Sequence, residues 1–375
     1  MRLACFSGPI LSLACVALLT SGCTKDSRSE YDSGDSGGGI GEDGSGSGND
    51  GESNGTSGND DSMDSIGSDD GNGEKFDVAQ AEGGDGDGDG DCTVPTHTPC
   101  DSGNATYGQA MGLGCPGELP FVPVFSGGNG SIGLRSSFGP TNEFNPREGL
   151  KYVVISNGLV ADLDTPNTST SPTSCNTSLG AYPTGGTLPA PLVPVNVGAQ
   201  DCTQNPSLIG TGDCSNTIQD QFDQGGGVSG SDYTELRLEN ITVPGGATSF
   251  SYDLAFFSTE YPVYYQTVYN DMYVGWLESM QWTGNISFDE QGNPISLNAG
   301  FLNYTDGAPE LANTCVNFNA GTKWLTSTAS VVPEETITLV FAVFDLSDSV
   351  LDTFVFLDNF QWGCEGGPPS TTPAG

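Results

Sequence analysis

Two runs near the C-terminus, T-I-T-L-V-F-A-V-F-D (Thr336 to Asp345) and T-F-V-F-L-D-N-F-Q-W (Thr353 to Trp362), are apolar at odd and even positions alike. Their β-branched and aromatic side chains favour extended chain, and a strand that is apolar on both faces must be covered from both sides. Both runs therefore predict central strands. Two earlier runs alternate instead. In T-E-L-R-L-E-N-I-T (Thr234 to Thr242), Leu236 and Leu238 point one way and Glu235, Arg237 and Glu239 the other. In S-F-S-Y-D-L-A-F-F (Ser249 to Phe257), Phe250, Tyr252, Leu254 and Phe256 share a face. Period two marks half-buried strands. Shorter strand-like pieces precede them at Phe121 to Phe125, Ser131 to Phe138 and Lys151 to Ser156. Only Ser215 to Phe222 reads as helix, with Ser215 as N-cap and Gly225 to Gly227 ending it. The expected class is all-β, a jelly-roll-like two-sheet β-sandwich with long loops.

The sandwich is preceded by something that cannot fold in this way. Residues 24 to 91 are almost entirely Gly, Ser, Asp, Asn and Glu, with 20 acidic against 3 basic side chains. Such a stretch buries too little apolar surface to offset its ordering entropy, so a disordered acidic Gly/Ser/Asp tether is expected. As a flexible coil it would span roughly 45 Å on average. Within it, G-G-D-G-D-G-D-G-D meets the opening positions of a calcium loop at Asp85, Asp87, Asp89 and Gly90, but the twelfth position is Thr96 in place of Glu. It reads as spacer.

Ahead of the tether, Met1 and Arg2 lead into the apolar run Ile10 to Leu19, too short to span a bilayer and suited to a secretory signal. The run ends in L-T-S-G-C at Cys23, which resembles a bacterial lipobox. That resemblance implies a lipidated Cys23, and Thr24 at the following position implies the outer membrane. Acyl chains would hold the protein there without a spanning helix. The expected layout is a signal over 1–22, lipidated Cys23 and tether over 23–91, and a disulfide-rich, loop-rich portion over 92–230. A β core over 231–364 and a disordered tail over 365–375 complete it.

Eight cysteines follow the lipobox: Cys92, Cys100, Cys115, Cys175, Cys202, Cys214, Cys315 and Cys364. An even set in an exported chain implies disulfides, and zinc is disfavoured because no C-x-x-C pair exists and the single histidine, His97, lacks companions. Cys202 with Cys214 would close a short loop. Cys315 with Cys364 would staple the last strands.

A family resemblance becomes specific at F-F-S-T-E-Y-P-V-Y-Y-Q-T-V-Y-N-D-M-Y-V-G-W-L (Phe256 to Leu277), which resembles the signature of choice-of-anchor L domains: a Ser/Thr-Glu-Tyr turn, an Asn-Asp pair and an apolar strand. The later stretch from Phe344 to Phe360 is similar to that family's closing strands. The resemblance covers roughly residues 120 to 364. With the tether and lipobox it resembles a myxobacterial lipoprotein version of the family, and it implies a bacterial surface location and no established activity.

The site residues follow from where the acids fall. Glu260, Asn270 and Asp271 sit at one set of strand ends, Asp345, Asp348 and Asp352 at another, and Asp358 in the last strand. Converging loop carboxylates suit calcium, which takes six to eight oxygens. Equally, Asp and Asn cap loops through their own backbone, and Asp358 could pair with an amide or a cation. The loop tyrosines Tyr261, Tyr264 and Tyr265 are candidates for an exposed sugar-stacking surface, whereas Tyr273 and Trp276 should divide between the two faces of a strand.

From Cys92 onward the chain carries 28 acidic and 5 basic residues, which disfavours nucleic acid and anionic membrane surfaces as partners. With one histidine, nucleophilic triads have little footing. Glu260 with Asp271 is the first carboxylate pair for a glycoside hydrolase. The leading expectation is a surface adhesion or glycan-binding module, ahead of a purely structural envelope or matrix protein and well ahead of a hydrolase.

Overall fold

The computed structural model describes residues 92–171, 174–180, 187–193 and 229–375. The signal, Cys23, the tether, Cys202, Cys214 and the expected helix from Ser215 to Phe222 lie outside them. The described elements begin with a one-turn helix, α1 (Tyr107–Met111), and then run β1 (Val122–Ser126), β2 (Ile132–Arg135), β3 (Tyr152–Ser156), β4 (Gly230–Thr242), β5 (Ser249–Ser258) and β6 (Met272–Glu278). After these come β7 (Thr283–Asn285), β8 (Ala320–Gly321), β9 (Leu325–Ser330), β10 (Thr336–Leu346), β11 (Thr353–Gly363) and β12 (Ser370–Pro373). All pairings are antiparallel. One sheet has the order β1-β4-β10-β6-β7; the other runs β12-β9-β5-β11-β3-β2, with β8 on β5. The two form the expected sandwich.

The doubly apolar runs have a simple cause. On β10, Leu339, Phe341 and Val343 enter the core between the sheets, and Val340, Ala342 and Phe344 pack outward against Leu188, Leu192 and Trp276. On β11, Val355 and Leu357 face inward, while Phe354 and Phe356 join an outer cluster with Phe144, Phe257 and Trp324. Long connections cover each sheet's outer face, so antiparallel strands here are buried on both sides. Phe250, Tyr252, Leu254 and Phe256 do share the inner face, and Tyr273 and Trp276 do part between inner and outer clusters. Inside, a hydroxyl chain runs from Tyr273 to Tyr252 (3.1 Å), Ser287 (2.6 Å), Ser327 (2.9 Å) and Thr371 on β12 (2.8 Å). Gly275 makes room for it: a Cβ there would lie 2.1 Å from the Tyr252 hydroxyl.

Three expectations are corrected. Cys315 bonds Cys175 rather than Cys364, and Cys364 bonds Cys92; Cys100 bonds Cys115. The portion after Cys364 is not a free tail, because Ser370–Pro373 pairs with β9 and its Thr371 hydroxyl enters the buried chain. Finally, Ser215 to Phe222 is not the only helical signal. Thr106 and Gln109 form a capping box around α1, and Gly112 ends it in the left-handed conformation.

Candidate functional site

Six strands end at one rim. β3, β5 and β11 of one sheet meet β4, β6 and β10 of the other there, since Thr353 pairs Ser258, Phe354 pairs Ser156, and Phe344 pairs Met272. The residues just beyond or within these ends are Asn157, Asp232, Glu260, Asp271, Asp345 and Asp352, all buried. Glu260 is 1 % exposed and Asp271 not at all. The sequence therefore placed Glu260, Asp271, Asp345 and Asp352 correctly at converging strand ends, with Asp348 half-buried beside them.

Hydrogen bonds stitch this group across the sandwich. The Asn157 amide donates to Asp271 Oδ2 (2.9 Å) and to Asp345 Oδ1, and the Thr353 hydroxyl donates to Asp271 Oδ2 (2.7 Å). Thr353 N in turn donates to Asn157 Oδ1 at 2.6 Å, which fixes the orientation of that amide. Asp271 N approaches Glu260 Oε2 at 3.3 Å, and Thr177 N donates to Asp352 Oδ1 at 2.9 Å. Asp345 stands within hydrogen-bonding reach of both Asp271 and Asp232. Asp352 presses on Gly158, where a Cβ would meet the carboxylate carbon at 2.0 Å; only glycine lets the loop after β3 come so close.

Two irregularities aim these side chains. Between Thr234 and Ser231, β4 carries one residue more than β10 does between Val343 and Asp345, and Asp232 in this bulge has φ 43°. Bulges re-aim side chains in this way. The loop carrying Asp348 is bracketed by Ser347 (φ 82°) and Leu351 (φ 75°), both left-handed without being glycine.

The electrostatics are one-sided. Burial pushes Glu260 up to about 10, with the neighbouring Asp271 carboxylate adding to it. Burial likewise raises Asp271 to about 7 and Asp352 to about 8, and it lifts Asp345 well above the carboxylate range, helped by Asp271 and Asp232. Asp348 and Asp232 are raised by burial too. Four of the five basic side chains after Cys92 are engaged elsewhere: Arg135 with Asp164, Arg147 with Asp253, Arg237 with Glu235, and Lys151 with the Gly103 carbonyl. Among the described residues, five buried carboxylate oxygens at the rim have no hydrogen-bond partner: Glu260 Oε1, Asp271 Oδ1, Asp348 Oδ1, Asp352 Oδ2 and Asp232 Oδ1. Among the described residues, no three acidic, histidine or cysteine side chains stand in the close array of a finished metal cage.

Asp358 belongs elsewhere. Its Oδ2 accepts Arg147 N (2.7 Å) and Glu148 N (3.4 Å), and its Oδ1 accepts Asn359 N (2.7 Å), so it is a backbone-capping carboxylate away from the rim. The sequence reading missed Asn157 and Asp232. Asn157 follows the β3 strand directly in S-N-G, a strand-end signal, but nothing distinguishes Asp232 before the bulge is seen.

Above the acids lies the loop 261–269. Tyr265 is 39 % exposed and Val263 53 %, while Tyr261 and Tyr264 are half-buried, ringed against Tyr265 and Tyr269 at 5.6 and 5.3 Å. The loop is pinned from several sides. Asn319 donates to the Thr259 and Tyr261 carbonyls, Asn298 Oδ1 accepts Gln266 N (2.6 Å), and the Ser347 hydroxyl reaches the Val268 carbonyl (3.0 Å). A separate cavity of about 640 Å³ opens beside His97, Glu148 and Trp362, with none of the rim acids in its walls.

Among the described residues no helix is long and apolar enough to cross a membrane. No curated protein and no solved structure matches the chain significantly. A family model does: residues 195–361 match the Choice-of-anchor L domain, spanning β4 to β11 and the Glu260, Asn270 and Asp271 positions of the rim. That stretch, under half of the chain, is similar to the choice-of-anchor L domain, and the similarity points to a surface-associated protein.

Proposed function

We propose that this protein is a lipid-anchored surface module that presents the loop 261–269 to a neutral glycan or matrix polymer. One observation carries the reading: Val263, Tyr265, Val268 and Val350 are exposed on loops braced by hydrogen bonds to each other and to neighbouring loops. Apolar and aromatic side chains on a braced loop offer contact area at little entropic cost. A chain of net charge −39 repels polyanions, which favours neutral polymers over nucleic acid. The lipobox-like Cys23 supports anchoring in an outer membrane, with the acidic stretch before Cys92 as spacer and calcium as the cation that would steady the rim. A purely structural envelope role is the outcome if no polymer binds. Hydrolysis gains no support, because Glu260 and Asp271 are sealed from solvent and lie outside the cavity.

Binding of the intact chain to an array of neutral glycans and surface polysaccharides tests this. Tyr265→Ala should weaken capture severalfold without lowering the melting temperature, and Cys23→Ser should move the protein from the membrane to the soluble fraction. Capture unchanged by Tyr265→Ala would refute the loop as the contact face.

A further inference from the structure

We propose that the rim holds one calcium-class cation, bound through Glu260, Asp271, Asp348, Asp352 and Asp232, and that its occupancy governs the binding loop above. The inference deepens the reading of loop 261–269 as a contact face and rests on that reading for its second half only.

The first half stands on the unpartnered oxygens. Glu260 and Asp271 are closed off from water, yet Glu260 Oε1 and Asp271 Oδ1 meet no donor. Folding a carboxylate into such a place is expensive unless a proton or a cation compensates it. The rim gathers several of them, and the guanidinium groups of Arg135, Arg147 and Arg237 are each paired at other positions. Asp271 is the hub: its charge bears on Glu260, Asp352 and Asp345, and that of Asp348 bears on it. A proton could relieve one member of each pair, and the Asp271–Asp345 contact suits that. It leaves the outer oxygens of Glu260, Asp348, Asp352 and Asp232 without a donor.

The donor set selects the ion. Every free atom is a carboxylate oxygen, and the neighbouring Cys175 sulfur is tied up in its disulfide while His97 sits at the separate cavity, which turns away zinc and favours a hard cation. The donors come from the β4 bulge and from the turns after β5, before β6, after β10 and before β11. Such loops adjust to the larger and irregular coordination of calcium more readily than to the strict octahedron of magnesium. Among the described residues no three of these carboxylates stand close enough to hold an ion, so binding must draw them in, while the Asn157 amide spans Asp271 and Asp345. The ion would take the unpartnered Asp271 Oδ1, leaving Oδ2 to the Asn157 bridge.

The second half follows from connectivity. Glu260 and Asp271 are the two feet of loop 261–269, and Asp348 and Asp352 lie in the loop whose Ser347 hydroxyl holds the Val268 carbonyl. An ion joining both loops would fix Tyr265 and Val268 relative to Val350.

Isothermal titration of calcium into the intact chain tests the site, with Asp348→Asn as the half-exposed, fold-sparing variant and Glu260→Gln as the buried one. The expected result is one saturable site that both variants weaken at least tenfold. Asp358→Asn, and the combined Asp85→Ser, Asp87→Ser and Asp89→Ser variant, should leave it intact. Equal titration of all forms, or a thermal shift from calcium no larger than that from sodium chloride of matched ionic strength, would overturn it. Glycan capture with and without chelator decides the second half: capture lost in chelator supports the governed loop. Capture unaffected by chelator, in a protein that does bind calcium, removes the regulation while leaving the site. Capture that persists where calcium does not bind leaves the proposed function standing without the ion.

Discussion

At the scale of single residues, Asp358 shows how the same residue type takes a different part a few positions along. It is buried in β11 and clamped by the amides of Arg147, Glu148 and Asn359, with the Arg147 guanidinium turned to Asp253 close by. Burial raises it to about 8, the Glu148 carboxylate adding to this and the three amides opposing it. Its folded value thus lies above its unfolded one, so its share of stability is complete below about pH 4 and fades as pH rises through about 8. The melting-temperature gap between wild type and Asp358→Asn should therefore narrow from pH 5 to pH 9. A gap that widens over that range would show the carboxylate to be held ionised.

Sequence reading grouped Asp358 with the rim because period-two counting sees only which way a side chain points. The bulge at Asn359 (φ 54°), where β11 gains a residue against β5, sets it apart and is invisible to such counting. Glu260, Asp271, Asp345, Asp348 and Asp352 were legible since strand ends can be read from where apolar runs stop. Asp232 was not, for it lies inside a run that reads as ordinary strand.

At the scale of elements, the strands most legible in sequence were those with the most burial, β10, β11, β5 and β4, because burial on a pleated surface is what writes a pattern. Elements that contribute few apolar contacts left little trace. α1 is five residues, too short for a helical period to repeat, and β12 is Ser-Thr-Thr-Pro, polar and ended by a proline. Yet β12 is more than an edge ornament. It pairs with β9 over Ser370 to Pro373, and its Thr371 hydroxyl links Ser327 to Phe288 N. Removing residues 366–375 should leave Ser327 with one buried partner fewer and expose the β9 edge, at a net cost of about 1–3 kcal/mol. Urea unfolding of the shortened chain measures it. Thr371→Val, which keeps the strand and deletes only the hydroxyl link, should reproduce about a third to a half of the loss. A shortened chain as stable as the full one would mean that β12 merely lies against the sheet.

At the scale of the whole molecule, the crosslinks decide how much of the chain is constrained before it folds. The number of cysteines and the oxidised state of the six seen here were legible in the sequence, but pairing depends on which loops the two sheets bring together, and that is a property of topology. The observed pairs have sequence separations of 272 for Cys92–Cys364, 140 for Cys175–Cys315 and 15 for Cys100–Cys115. Closing a loop removes denatured-state entropy that grows with the logarithm of its length, giving upper estimates of about 5.6, 5.0 and 3.0 kcal/mol. Cys92–Cys364 ties the start of the described chain to the end of β11, and its loop encloses nearly all of both sheets. Cys175–Cys315 joins the segment beside Asp352 to the outer aromatic cluster, since Asp352 N donates to the Cys175 carbonyl. Replacing each pair by alanines, one pair at a time, should therefore lower stability most for Cys92–Cys364 and least for Cys100–Cys115, read by guanidinium unfolding. The Cys175–Cys315 pair should depart from that order in one respect. Its loss also loosens the rim, so calcium affinity should fall in that variant and not in the other two. If the three variants lose equal stability, loop closure is not what these bonds contribute, and their value lies in local packing alone.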